Sequence, residues 1–600
     1  MFSRIKPLAG IIALIVAITT ASSAFAAITY TVEFRDHYGV AGGLENSYIS
    51  SGVPGYNIQG ERLCTSLSDP ACALTASIFA ILPYCQSATE ANCVESLSVT
   101  TPRVSSGSAT YLRTVGNKVF EADPANGIPA GANWSLFEVP ALKSAGLQST
   151  YGVKVRVELQ KIPMIGVKAT SFSAIVTPYE LGTTTAADGT LSTFTNQLGQ
   201  PGIRGTGGDS TCLWVKSGEC GRERAFPADA TITLKLHIGN YLTSWLHGRL
   251  SDPTVSIQQL DQRQNVLTVS GKPVTVPGVE ATATTEVIPN KTPLQGGGRM
   301  KIDSSQDNSL DQFLFFEQFM NKKATVLDEV WSFRSLGLES VASSATDTLG
   351  VSNPLNNISS ILGGGGSGGL GGLGGLGGLG GLGGASNPST SSGKSVGDLT
   401  GLGASAAKCV PEASQIVGAI LGTDSVSSLI GLVTTNSLTY APGPPKYTDG
   451  FLNYKVAGLR KNPDDSTFQG SYDLVMSSKI ARCIYGFEGT GPLYATVSVV
   501  NSEGGETTLA TESVKEEGGW LRLKARGFTF SSPTLKIKLT QNAPSAPTQP
   551  AKSESASSAP ATKSASAAPA KRISITCTKG KLVRKVAGTA PKCPAGFKKK

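Results

Sequence analysis

Cysteine is the residue type whose number and spacing say most about the chemistry of this 600-residue chain. The chain has 10 cysteines and only 3 histidines, and no C-x-x-C spacing occurs, so a structural zinc site is not expected. An even number of cysteines in a chain with an export signal indicates disulfides instead. The suspected disulfide cysteines are Cys64, Cys72, Cys85, Cys93, Cys212, Cys220, Cys409, Cys483, Cys577 and Cys593.

The spacing also suggests how these cysteines pair, because three pairs share the pattern C-x7-C. The expected pairs are Cys64–Cys72, Cys85–Cys93, Cys212–Cys220, Cys409–Cys483 and Cys577–Cys593. Closing each local nine-residue loop would contribute about 2.5 kcal/mol by the chain-entropy estimate. A second connectivity, with Cys64 bonded to Cys93 and Cys72 bonded to Cys85, stays open from spacing alone.

Catalytic motifs are nearly absent: the chain contains neither H-E-x-x-H nor G-x-S-x-G. Residues 208–210 (GDS) have the order of a serine-protease nucleophile turn, but a polar turn before a disulfide is favoured because no histidine has a matching setting. Residues 393–395 (GKS) look like the end of a phosphate loop, yet Pro388 stands where its leading glycine should be. We expect no enzyme and no cofactor, and leave the question open for residues 27–340.

Acidic and histidine side chains offer one further candidate metal site. Asp303, Asp307 and Asp311 recur in a short segment and could hold calcium, but the glycine and terminal Glu of an EF-hand loop are missing. A solvated loop leading into a helix cap is the favoured interpretation. His237 and His247 lie in strand-like text, where single histidines are usually packed or exposed without a ligand. No metal site is therefore expected.

The first residues of the chain have the organisation of a secretory signal peptide over 1–26. Arg4 and Lys6 precede an uncharged, mostly apolar stretch over 8–19, and Ala-Phe-Ala at 24–26 gives the small-x-small step before Ala27. About a dozen apolar residues are too few to span a bilayer. We expect a secreted protein that is attached to the cell surface and has no transmembrane segment after removal of the signal.

Charge is concentrated at the other end of the chain. The whole chain has a net charge of +9, but residues 571–600 hold ten cations and no Asp or Glu, which leaves about −1 for everything before them. The cations proposed to bind an anionic envelope are Lys571, Arg572, Lys579, Lys581, Arg584, Lys585, Lys592, Lys598, Lys599 and Lys600. The expected partners of these cations are anionic envelope polymers or lipid headgroups, not nucleic acid. The alternative is that the cationic tail aids solubility or export and binds no receptor.

The fold class expected is mainly β, with sandwich-type domains, a little helix, and disordered Gly-rich and Pro/Ala/Ser-rich linkers. Residues 27–340 form a mostly β, disulfide-containing region, and we favour a separate lobe over 27–100. A short helix is expected around 309–323. Strand-like runs in this region occupy 28–34, 153–159, 231–238 and 264–276.

Residues 341–407 are a low-complexity segment in which GGL units place leucine at every third position. Glycine at this density opposes folding, so a flexible linker is favoured. The alternative is a polyproline-II-like helix that lines the leucines along one edge for association.

The remaining segments are a sandwich, a spacer and a terminal module. Residues 408–540 contain seven strand-like runs after a small helical or loop segment at 413–435, which predicts an immunoglobulin-like sandwich. Residues 541–570 are a Pro/Ala/Ser spacer. Residues 571–600 predict a hairpin closed by a disulfide, since so few residues cannot hold a core.

Two passages resemble parts of uncharacterised exported surface proteins of actinobacteria. The first runs from PGPPK at 442–446 through ARCIYGF at 481–487 to WLRL at 520–523, and the second is the tail with ITC at 575–577 and PKCPAG at 591–596. Together they cover about a quarter of the chain. The resemblance implies a surface or wall setting and supplies no activity or binding residues.

Two functions compete on these observations. The first is a secreted cell-surface structural or adhesin-like protein held at the envelope by the cationic C-terminal module. The alternative is an extracellular glycan-binding module or glycan-active enzyme in which residues 27–340 do the work. The alternative requires a concave site lined by aromatic side chains and paired carboxylates, and no such pair can be located in the sequence.

We predict that all 10 cysteines of the mature protein are paired. Thiol labelling of the denatured, non-reduced protein should therefore modify essentially no cysteine, while labelling after reduction should modify all of them. Two or more free thiols per chain in the non-reduced sample would contradict this prediction.

Overall fold

The structure is a computed structural model, and it describes part of the chain in a series of segments. These segments are residues 29–36, 46–51, 61–162, 166–195, 201–239, 241, 245–261, 264–284, 298–304, 309–317, 321–336, 409, 429–441, 445–487, 489, 491–500, 506–509, 512–529, 534–541, 573–579, 582–588 and 598–599. The signal peptide (1–26), the linker (341–407) and the spacer beyond residue 541 lie outside them, so these three interpretations stay predictions.

The described chain is mainly β, which confirms the expected fold class. The strands of its first half are β1 Thr29–Arg35, β2 Tyr48–Ser50, β3 Leu63–Cys64, β4 Ala76–Ile81, β5 Cys93–Thr100, β6 Thr110–Thr114, β7 Ser135–Glu138, β8 Thr150–Ile162, β9 Gly166–Thr183, β10 Thr190–Thr195, β11 Pro201–Thr206, β12 Cys212–Lys216, β13 Glu219–Glu223, β14 Thr231–Ile238, β15 Trp245–Arg249, β16 Ser251–Gln259, β17 Asn265–Lys272, β18 Val274–Thr284, β19 Gly298–Asp303, β20 Asn321–Val330 and β21 Ser332–Leu336.

The later strands follow the predicted linker. They are β22 Gly431–Thr435, β23 Thr439–Tyr440, β24 Lys446–Thr448, β25 Phe451–Ala457, β26 Gly470–Ser477, β27 Tyr494–Val500, β28 Glu506–Leu509, β29 Glu512–Glu517, β30 Trp520–Phe528, β31 Thr534–Thr540, β32 Ile573–Lys579, β33 Leu582–Gly588 and β34 Lys598–Lys599. The α-helices of the described segments are α1 Pro140–Ser144, α2 Ser309–Glu317 and α3 Ser478–Ile484.

The chain divides into two compact units, residues 1–544 and residues 545–600. In the first unit, a 15-stranded sheet has the central order β29-β30-β26-β22-β15-β21-β9-β8-β4-β2-β3, with β6, β7, β12 and β13 attached beside it. Four further sheets of this unit have the orders β16-β17-β14-β5, β19-β1-β18-β20, β23-β25-β31-β27-β28 with β24 on β25, and β10-β11. The second unit contains the sheet β33-β32-β34.

Alternating side chains explain why these segments are strands. In β14, Ile232, Leu234 and Leu236 are buried, while Thr233 and Lys235 between them are half-buried. Successive side chains of a strand point to opposite faces, so this pattern gives one face to the core and the other to solvent. The β14 strand has the same bounds as the run expected at 231–238.

The largest hydrophobic core lies between the large sheet and the sheet β16-β17-β14-β5. Val155 and Val157 from β8 belong to the same buried cluster as Leu97 from β5 and Leu234 from β14. The two sheets therefore pack face to face, as in a β-sandwich. This core buries the middle of the region predicted over 27–340.

The large sheet crosses the position of the predicted linker. Strand β22 pairs in parallel with β15, with Trp245 opposite Gly431, and pairs in antiparallel fashion with β26 on its other side. All five residues of β22 are buried. Leu432 contacts the first core, whereas Val433 contacts a second core formed with the sheet of β25, β27 and β31. Strands from before and after 341–407 thus belong to one hydrogen-bonded sheet.

The helix expected around 309–323 begins at Ser309 and ends at Glu317. Its Leu310 and Phe313 are buried against β1, and the rings of Phe34 and Phe313 meet edge to face with centroids 5.4 Å apart. Edge-to-face packing of this kind is a favoured aromatic arrangement.

Two local expectations differ from the structure. One of the strand-like runs of the predicted sandwich, at 472–487, is a strand only as far as Ser477. Residues 478–484 form α3, because Ser478, Ala481 and Ile484 recur at helical spacing and are buried together. Residues 431–435 were expected in a helical or loop segment but form β22. A strand buried on both faces is an uninterrupted apolar run, which periodicity alone does not separate from a buried helix.

Four disulfides lie in the described segments, and each joins the pair of cysteines expected from the spacing. They are Cys64–Cys72, Cys85–Cys93, Cys212–Cys220 and Cys409–Cys483. The last one ties Cys409 to α3 across a sequence separation of 74 residues. Cys593 lies outside the described residues, so its expected bond with Cys577 stays a prediction.

A fully buried arginine connects three separate parts of the first unit. The Nε atom of Arg249, at the end of β15, donates to Asp36 Oδ2 at 2.5 Å, and neither side chain is exposed. The remaining guanidinium nitrogens donate to backbone carbonyls of Thr435, Ser437 and Leu438 after β22. We call this group the Arg249 clamp; it ties the end of β1 and the turn after β22 to β15.

Replacing Arg249 by Met should lower the free energy of unfolding by about 3–5 kcal/mol, because the carboxylate of Asp36 would stay buried without its partner. Chemical denaturation followed by tryptophan fluorescence measures this change. The double variant Arg249→Met, Asp36→Asn removes both charges and should be less destabilised than the single variant. Equal destabilisation of the two variants would contradict a dominant role for the ion pair.

Candidate functional site

The tail cations expected to bind an anionic envelope are divided between described and undescribed residues. Strand β32 is the centre of the three-stranded sheet, and its Cys577 pairs with Arg584 on one side and Lys599 on the other. Lys585 is opposite Thr576, and Lys598 is opposite Thr578. The cations that lie outside the described residues are Lys571, Arg572, Lys581, Lys592 and Lys600.

These pairings show that several of the cations belong to regular strands. Neighbouring strands are about 4.8 Å apart, so Arg584 and Lys599 have backbones about 10 Å apart across the central strand. Like charges repel one another, and the repulsion falls when an anionic partner or salt is present.

The first unit has a charged cleft of about 300 Å³ where the start of β16 meets β26, β29 and β30. Its size is at the lower limit of typical ligand pockets. The lining residues are Asp252, Pro253, Asp473, Leu474, Val475, Lys515, Arg522, Leu523 and Lys524. We call this group the charged cleft. It brings together residues from before and after the predicted linker.

The backbone of β16 places Asp252 at the rim of the cleft. Asp252 has a positive φ of 52°, and the register between β16 and β17 shifts between Ser251 and Thr254. A left-handed residue at such an irregularity turns its side chain away from the regular pleat. Asp252 consequently forms ion pairs with Lys524 and Arg526 of β30.

Asp473 lies deeper in the cleft. Its two carboxylate oxygens accept hydrogen bonds from Nη2 of Arg526 at 2.7 and 2.8 Å, and the carboxylate side chain is only 3% exposed. Nη1 of Arg526 donates to the carbonyl oxygens of Tyr472 and Ala525. Arg526 is therefore oriented by both backbone and carboxylate.

The two carboxyl groups have pKa values shifted in opposite directions. Burial raises the pKa of Asp473 to about 6, although the charge and hydrogen bond of Arg526 oppose the shift. Burial also disfavours ionisation of Asp252, but the hydrogen bond from Lys524 and nearby positive charges outweigh it and lower the pKa of that carboxyl. The cleft thus holds one carboxyl that titrates near neutrality and one that stays ionised.

The outer part of the cleft is cationic. Lys515 Nζ lies 2.8 Å from an oxygen of Glu517, and Arg522 contacts the same oxygen at 3.5 Å. Within the part of the chain that the structure describes, Arg522 Nε is buried without a hydrogen-bond partner. Glu517 is thus one carboxylate shared by two cations.

The arrangement favours holding an anionic group over acid–base catalysis. Two carboxyls with separated pKa values are the pattern of a general acid and a base. However, both oxygens of Asp473 are occupied by Arg526 and almost fully buried. A general acid must reach the leaving group within hydrogen-bond distance. Lys515 and Arg522, by contrast, lie on the cleft wall.

Two other candidates from the sequence, the GDS turn at 208–210 and His247, lie in surroundings that explain them without a catalytic role. The carboxylate of Asp209 accepts hydrogen bonds from Thr184 and from Thr211, as expected for a polar turn before a disulfide. His247 is buried, and burial, with the charges of Arg334 and Arg249, holds its pKa well below the usual range. It is therefore neutral at physiological pH.

The expected calcium cluster is only partly described. Asp303 ends β19 and Asp311 lies in the first turn of α2, whereas Asp307 lies outside the described residues. An acidic residue in the first turn is favourable for a helix, which agrees with the interpretation as a helix start. The GKS segment at 393–395 also lies outside.

No linear motif singles out Asp252 or Asp473. These residues are more than 200 positions apart in the chain, and only the fold brings them into the same cleft. The closest sequence signal is Asp473 within an otherwise apolar strand, YDLVMS, where an acidic residue in a buried run indicates a partner.

Comparisons with family models, curated proteins and solved structures gave no match. The resemblance to exported actinobacterial proteins therefore stays a prediction. Among the described residues, no helix has the length and apolar character needed to cross a bilayer.

Asp473→Asn should remove a pH dependence of stability. Because the pKa is about 6 when folded and about 3.9 when unfolded, the folded wild type binds more protons between these values, so its stability falls as pH rises. Relative to the variant, the wild type should lose about 2–3 kcal/mol between pH 4 and pH 7. Chemical denaturation across this range measures the difference.

Asp252→Asn is the matched control, because it removes a carboxyl from the same cleft whose pKa is lowered. Its stability relative to wild type should not improve as pH rises from 4 to 7. A constant difference between wild type and Asp473→Asn over this range would contradict the raised pKa of Asp473.

Proposed function

We propose that this chain is a secreted, cell-surface structural or adhesin-like protein, held at the envelope by its cationic C-terminal module. The observation that carries the proposal is the segregation of charge. Residues 571–600 hold ten cations without an acidic residue, while the rest of the chain is nearly neutral. Folding does not explain such segregation, since like charges at this density repel one another.

The first unit supports an extracellular role. Its four described disulfides are of a kind that persists in oxidising compartments. Its sheets bury large apolar cores, which suits a durable scaffold. In this proposal the first unit supplies the structural or adhesin-like part, and the cationic module holds the envelope.

The partner of the module is an anionic surface that presents phosphates or carboxylates. Each Lys or Arg near a negatively charged membrane surface contributes about 1 kcal/mol of attraction. Ten such residues would act together, but only within a Debye length of the surface. Association of this type is strong at low salt and weak at high salt.

The charged cleft favours one version of the alternative function. A neutral sugar is usually held against aromatic side chains, whereas this cleft is lined by charged ones. Lys524 is paired with Asp252, and Lys515 and Arg522 share Glu517. If the first unit binds a glycan there, its cations fit one that carries carboxylate, sulfate or phosphate groups. This second candidate concerns the first unit alone.

Deleting residues 571–600 should move the protein from the envelope fraction to the medium. Raising salt from about 0.05 M to 1 M shortens the Debye length from about 14 Å to 3 Å, so high salt should elute the intact protein. Immunoblots of the two fractions measure both effects. Isolated cell walls and vesicles of anionic lipid, tested separately, distinguish the two kinds of surface.

A charge-matched variant separates charge from fold in the same assay. Arg584→Gln with Lys585→Gln should weaken retention, whereas Arg584→Lys with Lys585→Arg keeps both charges and should retain the wild-type distribution. The anchoring role is wrong if the truncated protein remains on the envelope as well as the full-length chain does.

A further inference from the structure

A buried histidine lies directly against one of the disulfides. His237 Nδ1 is 3.9 Å from Cys85 Sγ and 3.8 Å from Cys93 Sγ. The imidazole is 2% exposed, and Cys93 is fully buried, while Cys85 is 8% exposed. Two sulfurs and one ring nitrogen therefore share a small enclosed space, in which all three lie within 4.8 Å of one another.

Backbone pairing holds these three residues together independently of the sulfur–sulfur bond. His237 and Cys93 are direct partners in the register of β14 and β5. On the other side of β5, the amide of Cys85 donates to Val94 O at 3.0 Å, and the amide of Val94 donates to Pro83 O at 2.8 Å. Breaking the disulfide would leave both cysteines beside the imidazole.

The second ring nitrogen of His237 is held by a carboxylate. Nε2 lies 3.0 Å from Glu95 Oε2, and the other oxygen of Glu95 is 2.7 Å from Lys235 Nζ. Histidines that bind metals usually have this arrangement, in which a carboxylate or carbonyl fixes the nitrogen that does not bind the metal. In the disulfide form, Nδ1 instead donates to the carbonyl oxygen of Glu90 at 2.6 Å.

We propose that Cys85, Cys93 and His237 form a metal site when the disulfide is reduced, and that its ligand is a thiophilic divalent cation such as Zn²⁺. A dithiol reductant supplies two electrons and two protons, becomes a cyclic disulfide, and leaves two cysteine thiols. Binding of the cation then releases the two thiol protons and the proton on Nδ1, while Nε2–H keeps its hydrogen bond to Glu95. Bound metal and disulfide thus exclude each other.

The distances fit such a site with small adjustments. Tetrahedral zinc with bonds of about 2.3 Å to sulfur and 2.0 Å to nitrogen places sulfur and nitrogen about 3.6 Å apart. The two sulfur–nitrogen distances here, 3.9 and 3.8 Å, are close to that value. The sulfurs themselves must separate to about 3.8 Å, which a change of side-chain rotamer provides.

A second disulfide of the same spacing is a natural comparison. Cys212 and Cys220 are also C-x7-C and have Asp209 beside them instead of a histidine. Both oxygens of Asp209 accept hydrogen bonds from Thr184 or Thr211, so that carboxylate already has its partners. The proposal therefore predicts different metal affinity for two loops of equal length.

Site-resolved thiol protection tests the proposal in the full-length mature protein. The protein is reduced with dithiothreitol without oxygen, desalted, and treated with N-ethylmaleimide with or without Zn²⁺. Mass spectrometry of the digest then gives the modification rate of each cysteine. We expect Zn²⁺ to slow modification of Cys85 and Cys93 by at least about tenfold and to leave Cys212 and Cys220 nearly unchanged.

Two variants make the test specific. His237→Gln should abolish the protection, and Glu95→Gln should weaken the apparent Zn²⁺ affinity by about 10–100-fold. Equal protection of all C-x7-C pairs, which an unfolded reduced chain would also give, would overturn the proposal. No protection at Cys85 and Cys93, or protection that persists in His237→Gln, would overturn it as well.

Discussion

The Arg249 clamp is the interaction on which the arrangement of the first unit depends. A guanidinium and a carboxylate without exposure to water are costly to bury unless each is well paired. Arg249 meets this condition with Asp36 and with carbonyl groups that follow β22. Its ring contact with Tyr440, 4.4 Å from the centroid, adds a cation–π interaction. The geometry is satisfied only when all three segments are in place.

The charged cleft is a consequence of the same joining of segments. Asp252 comes from the start of β16, just after Arg249 at the end of β15, while Asp473 and Arg526 come from β26 and β30. Their ion pairs form because β22 inserts between β15 and β26 in one sheet. The ion pairs of the cleft depend on the relative position of the two regions, so they also help to hold that position.

The sequence patterns predict where strands lie along the chain better than they predict which strands pair with one another. Alternation located β14 because the physical cause is local: every second side chain of the strand is buried. Residues 431–435 carry no alternation, since both faces of β22 are covered. The pairings of β15 with β22, of His237 with a disulfide and of Asp252 with Arg526 depend on distant segments, and no local spacing encodes them.

The parallel pairing of β15 with β22 also bears on the order of folding. The Arg249–Asp36 and Arg249–Leu438 contacts span sequence separations of 213 and 189 residues. Closing a loop of that length costs about 5 kcal/mol of chain entropy, and a still longer loop would cost only slightly more. One edge of β15 therefore stays open until β22, at residues 431–435, has been made. Slow, non-local strand pairing of this kind exposes an unpaired edge during biosynthesis, which is where contact with a chaperone matters most.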